Sequence, residues 1–278
     1  MFRKHWRQPV SSRRADRARV PRGLGLAALA AAALALILLP LIGLLQRTPW
    51  RTFGSNLTAH DALTALRLSV VTSLGALGVS IVCGLPLAWL LARTSFPGRP
   101  VVRALVTLPM VLPPVVGGIA LLYAFGRNGY AGHVLYELTG WRLVFNTSGA
   151  IIAEAFVAMP FLVITAEAAF RSMDRRPEEA ASTLGASPAY RFWRITLPAV
   201  APALAAGGAL TWARALGEFG ATITFAGNLP GTTQTAPLFI YLGIESGQSG
   251  SALTVSVVLL AVSLAVLVVL RDRWLSSS

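Results

Sequence analysis

Six apolar runs, each about 20 residues long and so long enough for a helix to cross a bilayer, constrain this chain of 278 residues more than any other feature. They lie near residues 24–45, 68–92, 104–125, 148–170, 200–227 and 251–270, with polar or Pro- and Gly-bearing stretches between them. In hydrocarbon every backbone N–H and C=O must find a partner, and a helix satisfies its own. The expected fold class is an all-α integral membrane protein with six transmembrane helices. Composition agrees: 55% of residues are apolar and 13% charged, and the mean hydropathy of +0.64 lies outside the soluble range. The run 24–45 exceeds the core of a cleavable signal peptide and no small-residue cleavage motif follows, so it reads as an uncleaved anchor.

The net charge of +13 rests on 24 basic residues, 23 of them Arg, and their placement alternates along the chain. The tail 1–23 carries eight, the 93–103 connection three, the 171–198 connection five and the segment 271–278 two, eighteen in all. The opposite connections hold four: Arg47, Arg51, Arg127 and Arg142. Basic connections remain in the cytoplasm, so both termini are expected there. The layout is a basic cytoplasmic tail (1–23), a transmembrane domain (24–270) and a short cytoplasmic tail (271–278). This alternation argues against nucleic acid as the partner of the positive charge and in favour of membrane lipid.

Several chemistries are excluded. Cys83, the single cysteine, can form no disulfide within the chain and no thiol pair for a metal. Lys4 is the single lysine, and its place in the tail rules out a Gly-rich P-loop ending in Lys and Ser or Thr. His5, His60 and His133 lack the spacing of a zinc site. Neither a G-x-S-x-G elbow nor an H-E-x-x-H helix occurs. The chain reads as non-enzymatic, with no catalytic residue, bound metal or cofactor.

Glycine and proline inside the spans leave two readings open. They include Gly75, Gly78 and Gly84 with Pro86, and Leu112-Pro113-Pro114 followed by Gly117-Gly118. Small residues let helix backbones approach closely in lipid. Alternatively, the double proline breaks the third helix and the freed backbone lines a cavity.

The longest basic connection reads RSMDRRPEEAASTLGASPAYRFWRITLPAVAPAL from residue 171. Pro177 suits a first helical turn, Glu178 and Glu179 the positive end of that helix, and Gly185 its end. Ser187 and Pro188 open a second short helix. Glu179-Ala180-Ala181, Gly185, Ile195, Leu197 and Pro198 match every fixed position of E-A-A-x3-G-x9-I-x-L-P. In this the chain resembles the permease subunits of ABC importers. The resemblance implies a type I ABC importer permease fold in which the loop 171–198 forms coupling helices that dock on a dimer of cytoplasmic ATPase subunits. ATP is then used by those subunits, and the permease loops are moved mechanically. It also implies a second copy of the chain around a central path, an extracytoplasmic binding protein, and a place in the cell (inner) membrane. The small Ala180, Ala181 and Gly185 permit close approach to a partner, and Glu179, Arg175, Arg176 and Arg191 supply polar pairing. Tyr190, Phe192 and Trp193 either fill a pocket on that partner or form an interfacial belt.

Residues 212–222, the following FAGNLPGTTQTAPLFIY and the segment Leu112 to Gly118 resemble the molybdate and sulfate branch of these permeases, GNLPGTTQT being closest to molybdate. An oxyanion is implied: molybdate or tungstate, with sulfate or thiosulfate as the nearest alternative. Arg214 and Glu218 stand four apart on one helix face within the fifth span. They form either a structural ion pair or part of the pathway, with Arg214 attracting the dianion. Glu154 is expected to be structural. Thr222, Thr224, Asn228, Thr232, Thr233 and Gln234 offer neutral donors to an oxyanion, or cap helices. A secondary transporter driven by an ion gradient is the remote alternative; the E-A-A loop and the lack of a visible inverted repeat argue against it. A membrane enzyme lacks any catalytic constellation.

Overall fold

The computed structural model describes residues 24–275; the basic tail with Lys4 and His5, and residues 276–278, lie outside the described residues. Among the described residues every regular element is helical. The chain divides into two units, 1–46 and 47–278. The first holds α1 (Leu24–Arg47) but for its last residue, a single helix through Pro40.

In the second unit a 3₁₀ turn (Trp50–Thr52) leads to α2 (Phe53–Leu57). Then α3 (His60–Val79) passes through a π-helical turn (Ser80–Gly84) into α4 (Leu85–Arg93). α5 (Arg99–Val111) and α6 (Pro114–Phe125) follow, then α7 (Tyr130–Thr139) and α8 (Thr147–Ser172). Next come α9 (Arg176–Thr183), α10 (Pro188–Arg191), a second π turn (Phe192–Thr196) and α11 (Leu197–Leu216). α12 (Gly220–Phe225), α13 (Ala236–Glu245) and α14 (Ser249–Leu275) complete the described chain, the last running into the expected tail.

Among the described residues five helices are long and apolar enough to cross a membrane, and α5 with α6 makes a sixth span when the bent pair counts as one. The six-span, all-α expectation therefore holds, with three corrections to the runs. First, the second span starts at His60 rather than 68, because Asp61 and the polar residues around it form an ordinary helical first turn. Second, α5 and α6 meet at 118°. A proline disfavours the α conformation in the residue before it, and Leu112 and Pro113 are extended at ψ 135° and 130°. Third, the run at 200–227 is not one helix. The helix begins at Pro188 and stops at Leu216, and the chain turns at Gly217 before α12 restarts.

α8 is the central element, with α11, α3 and α4 packed against it. Its inner positions are mostly small or aliphatic: Ala150, Ala153, Ala158, Leu162, Val163 and Ala166 are all buried. Neighbours approach through glycine. A Cβ on Gly75 would lie 2.8 Å from Ile151, and one on Gly207 2.9 Å from Thr165. The close-approach reading thus holds at Gly75 and Gly207, and the double proline does break the third span. Polar side chains fasten α3 to three other helices. Thr72 donates to Glu154 (2.8 Å), Trp212 Nε1 donates to Ser73 (2.9 Å), and the Ala236 N–H donates to Ser69 (2.7 Å).

Candidate functional site

The connection after α8 is built from local signals. Asp174 accepts the N–H of Arg176 at 3.0 Å, opening α9, and Pro177 occupies its first turn, where a missing N–H costs nothing. α9 ends at Gly185, whose φ of +82° only glycine adopts without strain. The N–H groups of Gly185 and Ala186 return to the carbonyls of Ser182 and Ala181, both at 3.0 Å, which satisfies two otherwise orphaned acceptors. Ser187 then caps α10, its hydroxyl accepting the Tyr190 N–H at 3.2 Å. From Pro188 the helix continues through the π turn into α11, so the second short helix is the foot of a membrane span and not a separate piece.

Of the motif residues, Glu179, Ala180 and Gly185 are exposed and Ala181 is half-buried. Leu184, beside them, is 88% exposed, and Tyr190 and Trp193 also reach solvent. Ile195 and Leu197 are half-buried in the foot of α11, with Pro198 exposed. The surface thus presents an acid, small residues and the large exposed side chains of Leu184, Tyr190 and Trp193.

Beneath that surface lie residues that sequence reasoning did not single out for contact. Glu178 accepts a hydrogen bond from Arg93 of α4 at 3.1 Å and another from the Thr196 hydroxyl. Arg93 lies 5.0 Å from the centre of the Trp89 ring, and Trp89 meets Phe170 and Phe192 edge-on at 5.1 and 5.2 Å. Close by in sequence, Glu167 of α8 gathers three guanidinium groups, those of Arg99, Arg103 and Arg171. The available signal was the tandem Glu178-Glu179. Successive helical residues point about 100° apart, so one can face inward while the next faces out.

Arg214 and Glu218 do form the i,i+4 pair, at 2.7 Å, with Glu218 only 2% exposed and Arg214 31%. Glu218 also accepts the Ala221 N–H at 2.9 Å, the first turn of α12. Here α12 and α6 begin side by side, for a Cβ on Gly220 would lie 2.6 Å from Pro114. The 228–235 loop is itself folded. The Leu229 carbonyl takes the N–H groups of Thr232, Thr233 and Gln234, Thr233 accepts the Leu229 N–H, and Thr147 donates to the Thr232 carbonyl. Thr224 donates to the Gly220 carbonyl within α12, whereas the Thr222 hydroxyl and the side-chain Oδ1 of Asn228 are buried without a hydrogen bond. Glu154 is buried with one oxygen on Thr72 and the other unpaired. A cavity of about 520 Å³ between α3, α8 and α11 is walled by Leu74, Leu77, Ile81, Leu162, Leu204 and Trp212. Such walls offer a dianion almost no hydrogen bonds.

Residues 84–277 match the family described as the binding-protein-dependent transport system inner membrane component. The chain is 44% identical over 253 residues to the molybdenum transport system permease protein ModB of Mycobacterium bovis, covering 90% of this chain and 93% of that protein. It is 34% identical over 232 residues to a probable sulfate transport system permease protein cysT of Chlorokybus atmophyticus, covering 82% and 81%. Its fold resembles that in the crystal structure of a bacterial ABC transporter involved in the import of the acidic polysaccharide alginate. The TM-score is 0.67 at 22% identity, over 90% of this chain and 95% of that one. Matched over most of its length, this multi-pass chain is an ABC importer permease subunit and belongs to the family of binding-protein-dependent transport system inner membrane components.

Proposed function

We propose that this chain is the membrane subunit of an ATP-driven importer that passes molybdate, and tungstate by the same chemistry, from an extracytoplasmic binding protein to the cytoplasm. The observation that supports the substrate is the 44% identity to a molybdenum permease over 90% of the chain, against 34% to a sulfate permease. Sulfate, also a tetrahedral dianion, is the second reading and is favoured by that second relative.

Two copies enclose the path, since closed two-fold symmetry is the simplest arrangement for one six-span chain. The 171–198 loop lies in the cytoplasm on the arginine count, and a dimer of ATPase subunits docks against Glu179, Ala180, Ala181 and Gly185. ATP binding and hydrolysis there displace the docked loops. Because the helix is continuous from Pro188 to Leu216, displacement of α10 reaches the membrane without an intervening flexible loop. Arg214 acts structurally in this scheme, its charge already met by Glu218. A pathway must release its ion as readily as it accepts it, and an unpaired buried guanidinium would hold a dianion.

The test is ATP hydrolysis in liposomes by the permease assembled with its ATPase, with molybdate-loaded and sulfate-loaded binding proteins compared. Molybdate-loaded protein is expected to stimulate hydrolysis, and Gly185→Asp to abolish the response, because it adds a side chain at a left-handed backbone position and places a charge on the docking face. Stimulation by the sulfate-loaded protein alone would overturn the substrate and keep the mechanism. Absence of any response in the wild-type assembly would overturn the importer.

A further inference from the structure

The coupling helix α9 is joined by the chain to two spans: to α8 through residues 173–175 and to α11 through α10. No such connection joins it to α4, whose chain leaves at Thr94 toward α5. The Glu178 carboxylate makes up the difference. One of its oxygens accepts both Arg93, at the last position of α4, and the Thr196 hydroxyl, at the foot of α11. The Arg93 and Glu178 side chains are only 10% and 16% exposed. Trp89, under Arg93, wedges between Phe170 at the end of α8 and Phe192 in the π turn. The end of α4, the end of α8, the π turn and α9 are thereby locked into one block.

The opposite end of α4 is different. The π turn Ser80–Gly84 interrupts the helix there, and such turns are places where a helix bends. α4 is a nine-residue rod with a bendable joint at one end and a charge-assisted bond to the coupling helix at the other. The second π turn, Phe192–Thr196, stands at the foot of α11 and carries Thr196 itself. We infer that Arg93, Glu178 and Thr196 form a latch through which movement of the docked α9 drives α4 as a lever about the Ser80–Gly84 turn. Apolar packing of α4 on α8 does not achieve this alone, because it is non-directional and permits sliding, whereas a charged hydrogen-bonded pair fixes register. Glu179 then faces the ATPase while Glu178 faces the membrane helices, giving the two consecutive acids separate roles. The inference rests on the importer reading proposed above.

The experiment uses the assembled transporter in liposomes, in a Cys83→Ser background with spin labels at Leu90→Cys on α4 and Ser182→Cys on α9. With the latch intact, the distance between labels is the same in the nucleotide-free and ATP-trapped states; with Glu178→Gln it shifts or broadens between them. In unlabelled protein, molybdate imported per ATP hydrolysed should fall roughly tenfold in Glu178→Gln and in Arg93→Gln, with the double variant no worse than either single one. The distance measurement reads the latch even where a variant no longer transports. Variants that keep both the fixed distance and the wild-type ratio would overturn the latch and leave the importer reading intact. A wild-type assembly without ATP-dependent uptake of either molybdate or sulfate would overturn the importer reading and the latch with it.

Discussion

The carboxylate of Glu218 receives the Arg214 guanidinium on one oxygen and the Ala221 amide on the other. It therefore closes the end of α11 and opens α12 at the same time. Removing the charge by Glu218→Gln leaves a two-thirds-buried guanidinium unpaired and weakens the first turn of α12. The expected cost is about 1–3 kcal/mol, below the roughly 3–5 kcal/mol of a fully buried pair because Arg214 is 31% exposed. Thermal unfolding in detergent, followed by tryptophan fluorescence, should show a lowered Tm. The Arg214→Met/Glu218→Met double variant should lose less than Glu218→Gln, since it removes both charges and leaves neither stranded. Additive losses would mean that the two side chains do not sustain each other. The i,i+4 spacing made this pair legible in the sequence. The bond to Ala221 was not, because it requires a helix break that the apolar run hides.

At the scale of elements, the two broken spans meet where α6 and α12 begin, and glycine permits the meeting. A Cβ on Gly220 would strike Pro114 at 2.6 Å, and one on Gly118 would lie 2.6 Å from Thr224 and 2.9 Å from the Ala221 carbonyl. Gly220→Ala and Gly118→Ala should each destabilise by about 1–3 kcal/mol, the cost of overpacking. Gly78→Ala, with nothing within 4 Å, should be neutral or slightly stabilising in the same unfolding assay. Equal effects at all three would remove packing as the reason for the glycines. The Leu112-Pro113-Pro114 break was readable because proline acts on its immediate neighbour. Pro177, Gly185 and Ser187 marked α9 and α10 for the same reason: caps and turns are written locally. The break at Gly217 was not readable, since hydropathy averaged over a span absorbs one glycine and one acid. Neither π turn carries a signal in residue type. Glu178 meets Arg93 across 85 positions of sequence, a distance over which no local rule operates.

For the whole molecule, the charge count has a geometric counterpart. Arg93, Arg99, Arg103 and Arg171 pair with Glu167 and Glu178 at the end of the helices that carries the 171–198 loop. The α7 connection holds instead Arg127 and Arg142, both about 5 Å from the Tyr136 ring. Arginine-rich connections resist translocation, so the end bearing α9 should be cytoplasmic and α7 external. This is open to labelling with a membrane-impermeant maleimide in right-side-out vesicles, again in a Cys83→Ser background. Leu138→Cys on α7, a position 79% exposed, should label at once. Leu184→Cys, 88% exposed in the wild-type residue, should label only after permeabilisation. The same position reports on docking, for a prebound ATPase that sits on α9 should protect Leu184→Cys in permeabilised vesicles and leave Leu138→Cys reactive. Labelling of Leu184→Cys from outside would invert the topology and remove the 171–198 loop from the reach of any cytoplasmic ATPase. Labelling after permeabilisation that the ATPase does not diminish would keep the topology and move the docking surface elsewhere on the same face.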